Sequence, residues 1–166
     1  KADLTRFGTI VLGAEAHEKN YAGCRAASAR LTRFVINGGT LLVGQINDAT
    51  WHPDYLPRDL VPGDAGTEAG AVLVPEHAIF TDLTTGVLTG VQSFDRFDWA
   101  APGWRVLMAG ADGSPAILQT DVGKGRVLVV MPSFDRVAVA TDDTEPTKAA
   151  RALIANLLRW AGAPRR

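Results

Sequence analysis

Two short apolar runs that each end in glycine, Thr9-Ile10-Val11-Leu12-Gly13 and Thr40-Leu41-Leu42-Val43-Gly44, bracket one amphipathic stretch, and nothing else in the chain constrains its fold as tightly. A continuous apolar run of this length reads as a strand buried on both faces, the usual signature of a parallel sheet. Between the runs, Tyr21, Cys24, Ala27, Leu31, Phe34 and Val35 recur at helical spacing while Arg25, Arg30 and Arg33 lie off that stripe. The pattern predicts an amphipathic helix of about four turns. Asn37-Gly38-Gly39 ends it, because glycine takes the left-handed cap most easily. Strand, helix and strand in this order form a parallel unit with a right-handed crossover.

Beyond Gly44 the periodicity fades. Residues 45–70 are rich in Pro, Asp and Gly and read as a long excursion, the kind of loop that in a small domain is functional or mobile. Ala71–Val74 and Ala78–Phe80 are weak strand candidates separated by Pro75. Residues 81–104 are turn-rich, with Phe94, Phe97, Trp99 and Trp104 expected to pack locally. The last third is clearer. Trp104–Met108, Ala116–Thr120 and Arg126–Met131 are apolar runs separated by Asp112-Gly113 and Gly123-Lys124-Gly125 at hairpin distance. They predict an antiparallel meander whose last strand returns to the main sheet. Asp142-Asp143-Thr144-Glu145-Pro146 then opens a helix, with Thr144 as cap and acidic residues at the positive end of the dipole. Ala150, Leu153, Ile154, Leu157, Leu158 and Ala161 line one face of that helix, and Gly162 ends it.

Strands alternating with helices argue for a three-layer α/β fold. A chain of 166 residues has room for one such domain over residues 1–166. With 21% charged residues, 46% hydrophobic residues and a net charge of −1, wholesale disorder and a nucleic-acid footprint are both excluded as expectations. A single cysteine, Cys24, supports neither a disulfide framework nor a zinc cluster, and it sits on the apolar stripe as a core residue. No apolar run reaches the roughly 20 residues that a membrane helix needs. The sequence does not choose between cytoplasm and export. Only two strong parallel strands precede the long excursion, and the chain begins Lys-Ala-Asp-Leu without an initiator Met. The expectation is a piece of a larger protein with its first strand missing, either truncated or supplied by a preceding segment.

The order of segments resembles the class I glutamine amidotransferase-like superfamily. The resemblance rests on Phe7-Gly8-Thr9-Ile10-Val11-Leu12 and on the stretch Leu31 to Gly44, with its "Phe-Val-x-x-Gly-Gly-x-Leu" pattern. Pro75-Glu76-His77-Ala78-Ile79-Phe80-Thr81-Asp82-Leu83 is similar to the "His-Pro-Ile-x-x-x-Leu" segment of the non-catalytic branches. Those branches include the trehalose-utilisation-like proteins and the domain that mediates trimer formation in some β-galactosidases. The resemblance implies a flavodoxin-like three-layer sheet, mostly parallel, with the antiparallel meander at its C-terminal end. Active members of the superfamily carry a cysteine nucleophile directly after the strand equivalent to Leu41–Gly44. Here that position reads Gly44-Gln45-Ile46-Asn47, and no His-x-Glu pair follows near the C-terminal end. Amidotransferase activity is therefore not expected.

Ligands of open α/β sheets bind beyond the carboxyl ends of the strands. Glu15 and His17 follow the first strand; Gln45, Asn47, Asp48, Trp51 and His52 follow the second; Ser133, Asp135 and Arg136 follow the last. Such groups could converge to bind a sugar through paired hydrogen bonds, with Trp51 or Tyr55 stacking on the ring. The competing assignment makes the polar residues solvated loop and capping groups, and the aromatics pins for the loop. His17, His52 and His77 form no ligand pair, so no metal or other cofactor is expected, and His77 reads as structural. Two functions are carried forward. One is a non-catalytic accessory module of a larger carbohydrate-active enzyme, with other domains or subunits of the same protein as partners and carbohydrate as a further candidate. The other is an independent hydrolase or isomerase acting on a sugar-like substrate, with Glu15 and Asp135 as acid and base and His17 assisting.

Overall fold

The computed structural model describes residues 3–13, 16–45, 54–63 and 65–163, and of residues 17–21 the backbone. Strand β1 (Thr9–Leu12), helix α1 (Ala16–Ile36) and strand β2 (Thr40–Gly44) form the expected unit. The two strands pair in parallel, with Thr9 against Thr40 and Leu12 against Val43. Helix α1 starts before the apolar stripe because its first residues, Ala16-His17-Glu18-Lys19-Asn20, carry nothing large and apolar to mark it. At its other end Gly38 adopts φ 116°, and the N–H groups of Gly38 and Gly39 donate to the carbonyls of Val35 and Phe34 at 2.9 and 3.0 Å.

Strands β3 (Leu60–Gly63) and β6 (Arg96–Ala100) make a separate antiparallel ribbon. The remaining strands are β4 (Thr67–Val72), β5 (Gln92–Ser93), β7 (Arg105–Gly110), β8 (Pro115–Val122) and β9 (Gly125–Val130). With β1 and β2 they build a seven-stranded sheet in the order β1-β2-β9-β8-β7-β4-β5. Only β1–β2 and β2–β9 are parallel; β9–β8, β8–β7, β7–β4 and β4–β5 are antiparallel. The expected mostly parallel sheet is thus corrected to a mixed, mostly antiparallel one. The reason is connection length. Residues 111–114 and 123–124 are too few to cross over a sheet face, so the strands they join must run back antiparallel. The apolar runs misled because these strands are also covered on both faces: Leu107, Met108, Ile117, Leu118, Val127, Leu128 and Val129 are all fully buried.

Helix α1 and the β3–β6 ribbon cover one face of the sheet, packing Leu31, Phe34, Val35, Phe97 and Trp104 against Leu41, Val43 and Val127. The short helix α2 (Phe134–Ala138) and the long helix α3 (Glu145–Gly162) cover the other, where Leu153, Leu157 and Trp160 meet Leu42, Ile117 and Leu128. The three layers and the returning last strand match the expectation. The Thr144 hydroxyl caps α3 by accepting from the N–H of Thr147 at 3.4 Å. Arg126 on β9 ties the other end of α3 to the sheet. Its guanidinium lies 4.0 Å over the Trp160 ring, donates to the carbonyls of Trp160 and Ala163, and also reaches the Thr40 hydroxyl at 3.2 Å. A cation at the negative end of a helix and over an aromatic face is favourable on both counts.

Other elements differ from the sequence reading. Ala78–Phe80 is a 3-10 turn, not a strand. Its carbonyls face α3, where the buried Asn156 Nδ2 donates to Ile79 and Thr81 at 3.1 and 2.8 Å. The excursion 45–70 contains β3 and the start of β4; Pro62 is tolerated in β3 because the ribbon has open edges. Phe97 and Trp104 pack inward as expected, whereas Phe94 and Trp99 are each 49% exposed. No helix among the described residues is long and apolar enough to cross a membrane.

Candidate functional site

The carboxyl ends of β1, β2 and β9 open onto a cleft of about 170 Å³ between the sheet and helices α2 and α3. Its walls are apolar: Leu12, Leu42, Val130, Phe134, Ile154 and Leu157. One buried polar side chain, Gln45, lines it and reaches back to Ser133. Gln45 leaves β2 and Ser133 follows β9, both nearly inaccessible at 2% and 5% exposure, and the Gln45 carboxamide hydrogen-bonds the Ser133 hydroxyl. The Ser133 backbone N–H donates to the Gln92 carbonyl at 2.8 Å, which fixes the β9–α2 turn against β5. Gln45 Oε1 has no hydrogen-bond partner among the described residues. An orphaned amide oxygen at an apolar floor is costly unless something reaches it.

The structure thus brings together Gln45 and Ser133, residues far apart in the chain, and places Asp135 at the exposed rim of the same cleft. Arg136 does not join them: its guanidinium sits 4.5 Å over the Phe94 ring, away from the cleft lining. Glu15, Asn47, Asp48, Trp51 and His52 lie outside the described residues, and His17 is placed only by its backbone in α1. Tyr55 is 2% exposed and packs in the core beneath α1, where its carbonyl accepts from the Thr32 hydroxyl at 3.4 Å. It pins its loop rather than offering a ring face.

The position after β2 holds no nucleophile, and the one thiol lies elsewhere. Cys24 is buried in α1, its Sγ pointing to the Ala16 carbonyl at 3.8 Å, and burial raises its pKa. A desolvated thiol is a poor thiolate and a small core group. Arg126 and the β3–β6 ribbon carry contacts that patterning gave no hint of, since a strand-initial Arg and a Phe-x-Trp alternation look ordinary in isolation.

His77 is held as a structural residue. Its Nδ1 accepts from the Ile79 N–H, its Nε2 pairs with Gln119 Oε1 at 2.8 Å, and its ring tilts against Trp160 at 5.8 Å. Burial, followed by the nearby Arg105 and Arg126 charges, lowers its pKa below the usual imidazole value, against the opposing pull of Gln119 and Glu76. The unfolded chain therefore binds more protons than the folded one as pH falls below about 6.5. Stability that is complete above that pH is lost on acidification toward the lowered folded value. The unfolding midpoint is expected to drop between about pH 7 and pH 5, and His77→Gln is expected to remove part of that drop. A variant whose midpoint follows the wild-type curve throughout that window refutes the assignment.

No protein-family model matches the sequence, and no curated protein matches it. Solved structures do. A cytoplasmic protein from Salmonella typhimurium aligns with 95% of this chain and 72% of its own, with a TM-score of 0.62 and 16% identity. The cold-adapted β-galactosidase of Rahnella sp. R3 aligns with 99% of this chain at a TM-score of 0.60 and 14% identity, yet only 24% of the enzyme is involved. An exo-β-1,4-mannosidase from Opitutaceae bacterium strain TAV5 aligns with 99% of this chain and 27% of its own, with a TM-score of 0.53 and 14% identity. At such identities the likeness is one of fold. It includes a β-galactosidase, in agreement with the family resemblance of the sequence, and the chain spans about a quarter of each glycosidase.

Proposed function

We propose that this chain is a non-catalytic, amidotransferase-like accessory module of a larger carbohydrate-active protein, and that it joins domains or subunits. The observation that carries the proposal is the match of 99% of the chain to about a quarter of two glycosidases. The site fits this role. The place where an active relative keeps its nucleophile is filled by a buried glutamine bonded to a serine, and the apolar walls of the cleft suit a hydrocarbon side chain better than a polyol. The cleft also continues onto an open edge. Strand β1 pairs with β2 alone among the described residues, so its outer N–H and C=O groups face away from the sheet. Phe7, Val11 and Leu158 around it are 54%, 50% and 53% exposed. An unpaired edge beside an apolar patch invites a further strand or helix from a neighbour.

Light scattering and thermal melting of the chain test this reading. Association that rises with concentration is expected, and a Val11→Glu, Leu158→Glu double variant is expected to abolish it without lowering the melting temperature. A wild-type chain that stays monomeric at every concentration and melts in one sharp transition overturns the assembly role. Asp135→Ala is expected to leave intact the turnover of any sugar derivative by the parent protein; its loss would instead favour the hydrolase or isomerase.

A further inference from the structure

The β3–β6 ribbon lies on the α1 side of the sheet, away from the cleft described above, and its pairing contains one irregularity with a consequence for chemistry. Leu60 pairs with Ala100 and Val61 with Trp99, but Pro62 pairs with Phe97, so Asp98 is an extra residue in β6. In a regular strand Phe97 and Trp99 point to the same face, since side chains alternate with a period of two. The bulge breaks that alternation and re-aims the side chain that follows it. Phe97 is fully buried in the core, whereas Trp99 is turned out beside Val61, and the two are 49% and 45% exposed.

Trp99 and Val61 border an open cleft of about 430 Å³ whose charged wall is Asp54, Arg58 and Asp59. Arg58 is fixed in place: its Nε donates to the Thr120 hydroxyl at 3.0 Å and its Nη1 to the Pro102 carbonyl at 3.2 Å. Thr120 is anchored in turn to the Gly103 carbonyl at 2.9 Å. The Asp59 carboxylate has no partner among the described residues, and Asp54 meets only Arg25, loosely, at 4.0 Å. Two carboxylates against Arg58 and Arg25 leave the cleft near electrical neutrality, which removes any strong preference for a cationic or an anionic guest.

We propose that this cleft is a surface subsite for a neutral pyranose. The exposed Trp99 face attracts the weakly positive C–H groups of a sugar ring, as it attracts other positive edges. The Asp54 and Asp59 carboxylates accept hydrogen bonds from hydroxyls, and the fixed Arg58 guanidinium donates to a hydroxyl oxygen. A ring with one C–H face and a belt of hydroxyls uses all three elements, whereas an apolar protein surface would cover the Asp59 carboxylate without giving it a partner. The subsite is independent of the assembly role and stands or falls separately from it.

The test is a titration of the chain with methyl β-galactopyranoside, methyl β-mannopyranoside and methyl β-glucopyranoside, followed on the Trp99 indole N–H resonance, which Trp99→Phe identifies by its loss. At least one glycoside is expected to shift that resonance saturably, with a millimolar dissociation constant. Trp99→Ala, followed by calorimetry, is expected to weaken binding about tenfold or more, while Trp99→Phe keeps most of it. Asp59→Asn, at an exposed position that leaves the ribbon intact, is expected to weaken it several-fold. If none of the three glycosides moves the resonance, or if Trp99→Ala binds as well as the wild type, the subsite does not exist. A Trp99 resonance that responds to protein concentration and not to glycoside overturns the proposal in favour of a protein-docking face.

Discussion

Gly125→Ala is expected to cost at least about 3 kcal/mol of stability, at the upper end of what overpacking does. A Cβ placed on Gly125 would stand 1.8 Å from the Val35 carbonyl oxygen and 2.5 Å from that of Gly39. Both obstacles are backbone, so no side chain can swing aside. Relief requires moving β9 away from the end of α1. That movement strains two hydrogen bonds that dock them, Lys124 N–H to the Ile36 carbonyl at 2.9 Å and Arg126 N–H to the Gly39 carbonyl at 3.2 Å. Each lost bond adds about 1 kcal/mol, and Arg126 takes the clamp on α3 with it. For a chain of this size the melting temperature is expected to fall by about 2–4 °C per kcal/mol. Gly86→Ala is the control, since a Cβ there meets nothing within 4 Å, and its effect should stay within about 0.5 kcal/mol. Equal stabilities of the two variants would show that β9 and α1 are not docked as described.

Leu42→Ala is expected to cost roughly 2–5 kcal/mol. Leu42 lies on β2, which is hydrogen-bonded to β1 on one side and β9 on the other, and it is 7% exposed in the cluster that holds Leu128, Phe134 and Leu157. Its side chain also walls the strand-end cleft. Truncation therefore removes a buried isobutyl group and enlarges an apolar space that already exists, so both the transfer and the cavity contributions apply. Urea unfolding measures the change through its midpoint at constant slope. Leu73→Ala, at a residue 53% exposed, is expected to change little by comparison. A negligible cost at Leu42 would remove β2 from the core of the fold.

Much of this architecture is legible in the residues. The Thr9–Leu12 and Thr40–Gly44 runs, the stripe from Cys24 to Val35 and the Thr144 cap all mark local structure, because burial and capping chemistry impose a period or a residue type on a few neighbouring positions. The Gln45–Ser133 contact was half legible: both residues follow strands expected in one sheet, and only their direct bond came from the structure. The direction of the meander strands was not legible in their apolar content, since a strand covered on both faces looks the same whichever way it runs. The short connections did reveal it locally, but not that they outnumber the parallel pairings. Trp99 was misread for a related reason. Its neighbour Asp98 is an ordinary strand residue unless paired, and a bulge is a property of two strands together.

By itself the sequence determined the β1–α1–β2 unit, the three meander strands and the C-terminal helix, where helix α1 stops, and that Gln45 rather than a cysteine follows the second strand. The tertiary structure alone decided which strands are neighbours, which way they run, and which polar and aromatic side chains end up buried, clustered or exposed. The division is physical. Local elements follow from the conformational preferences and burial of a few adjacent residues, whereas arrangements such as the Gln45–Ser133 contact and the Trp99 cleft are set by pairings between segments distant in the chain.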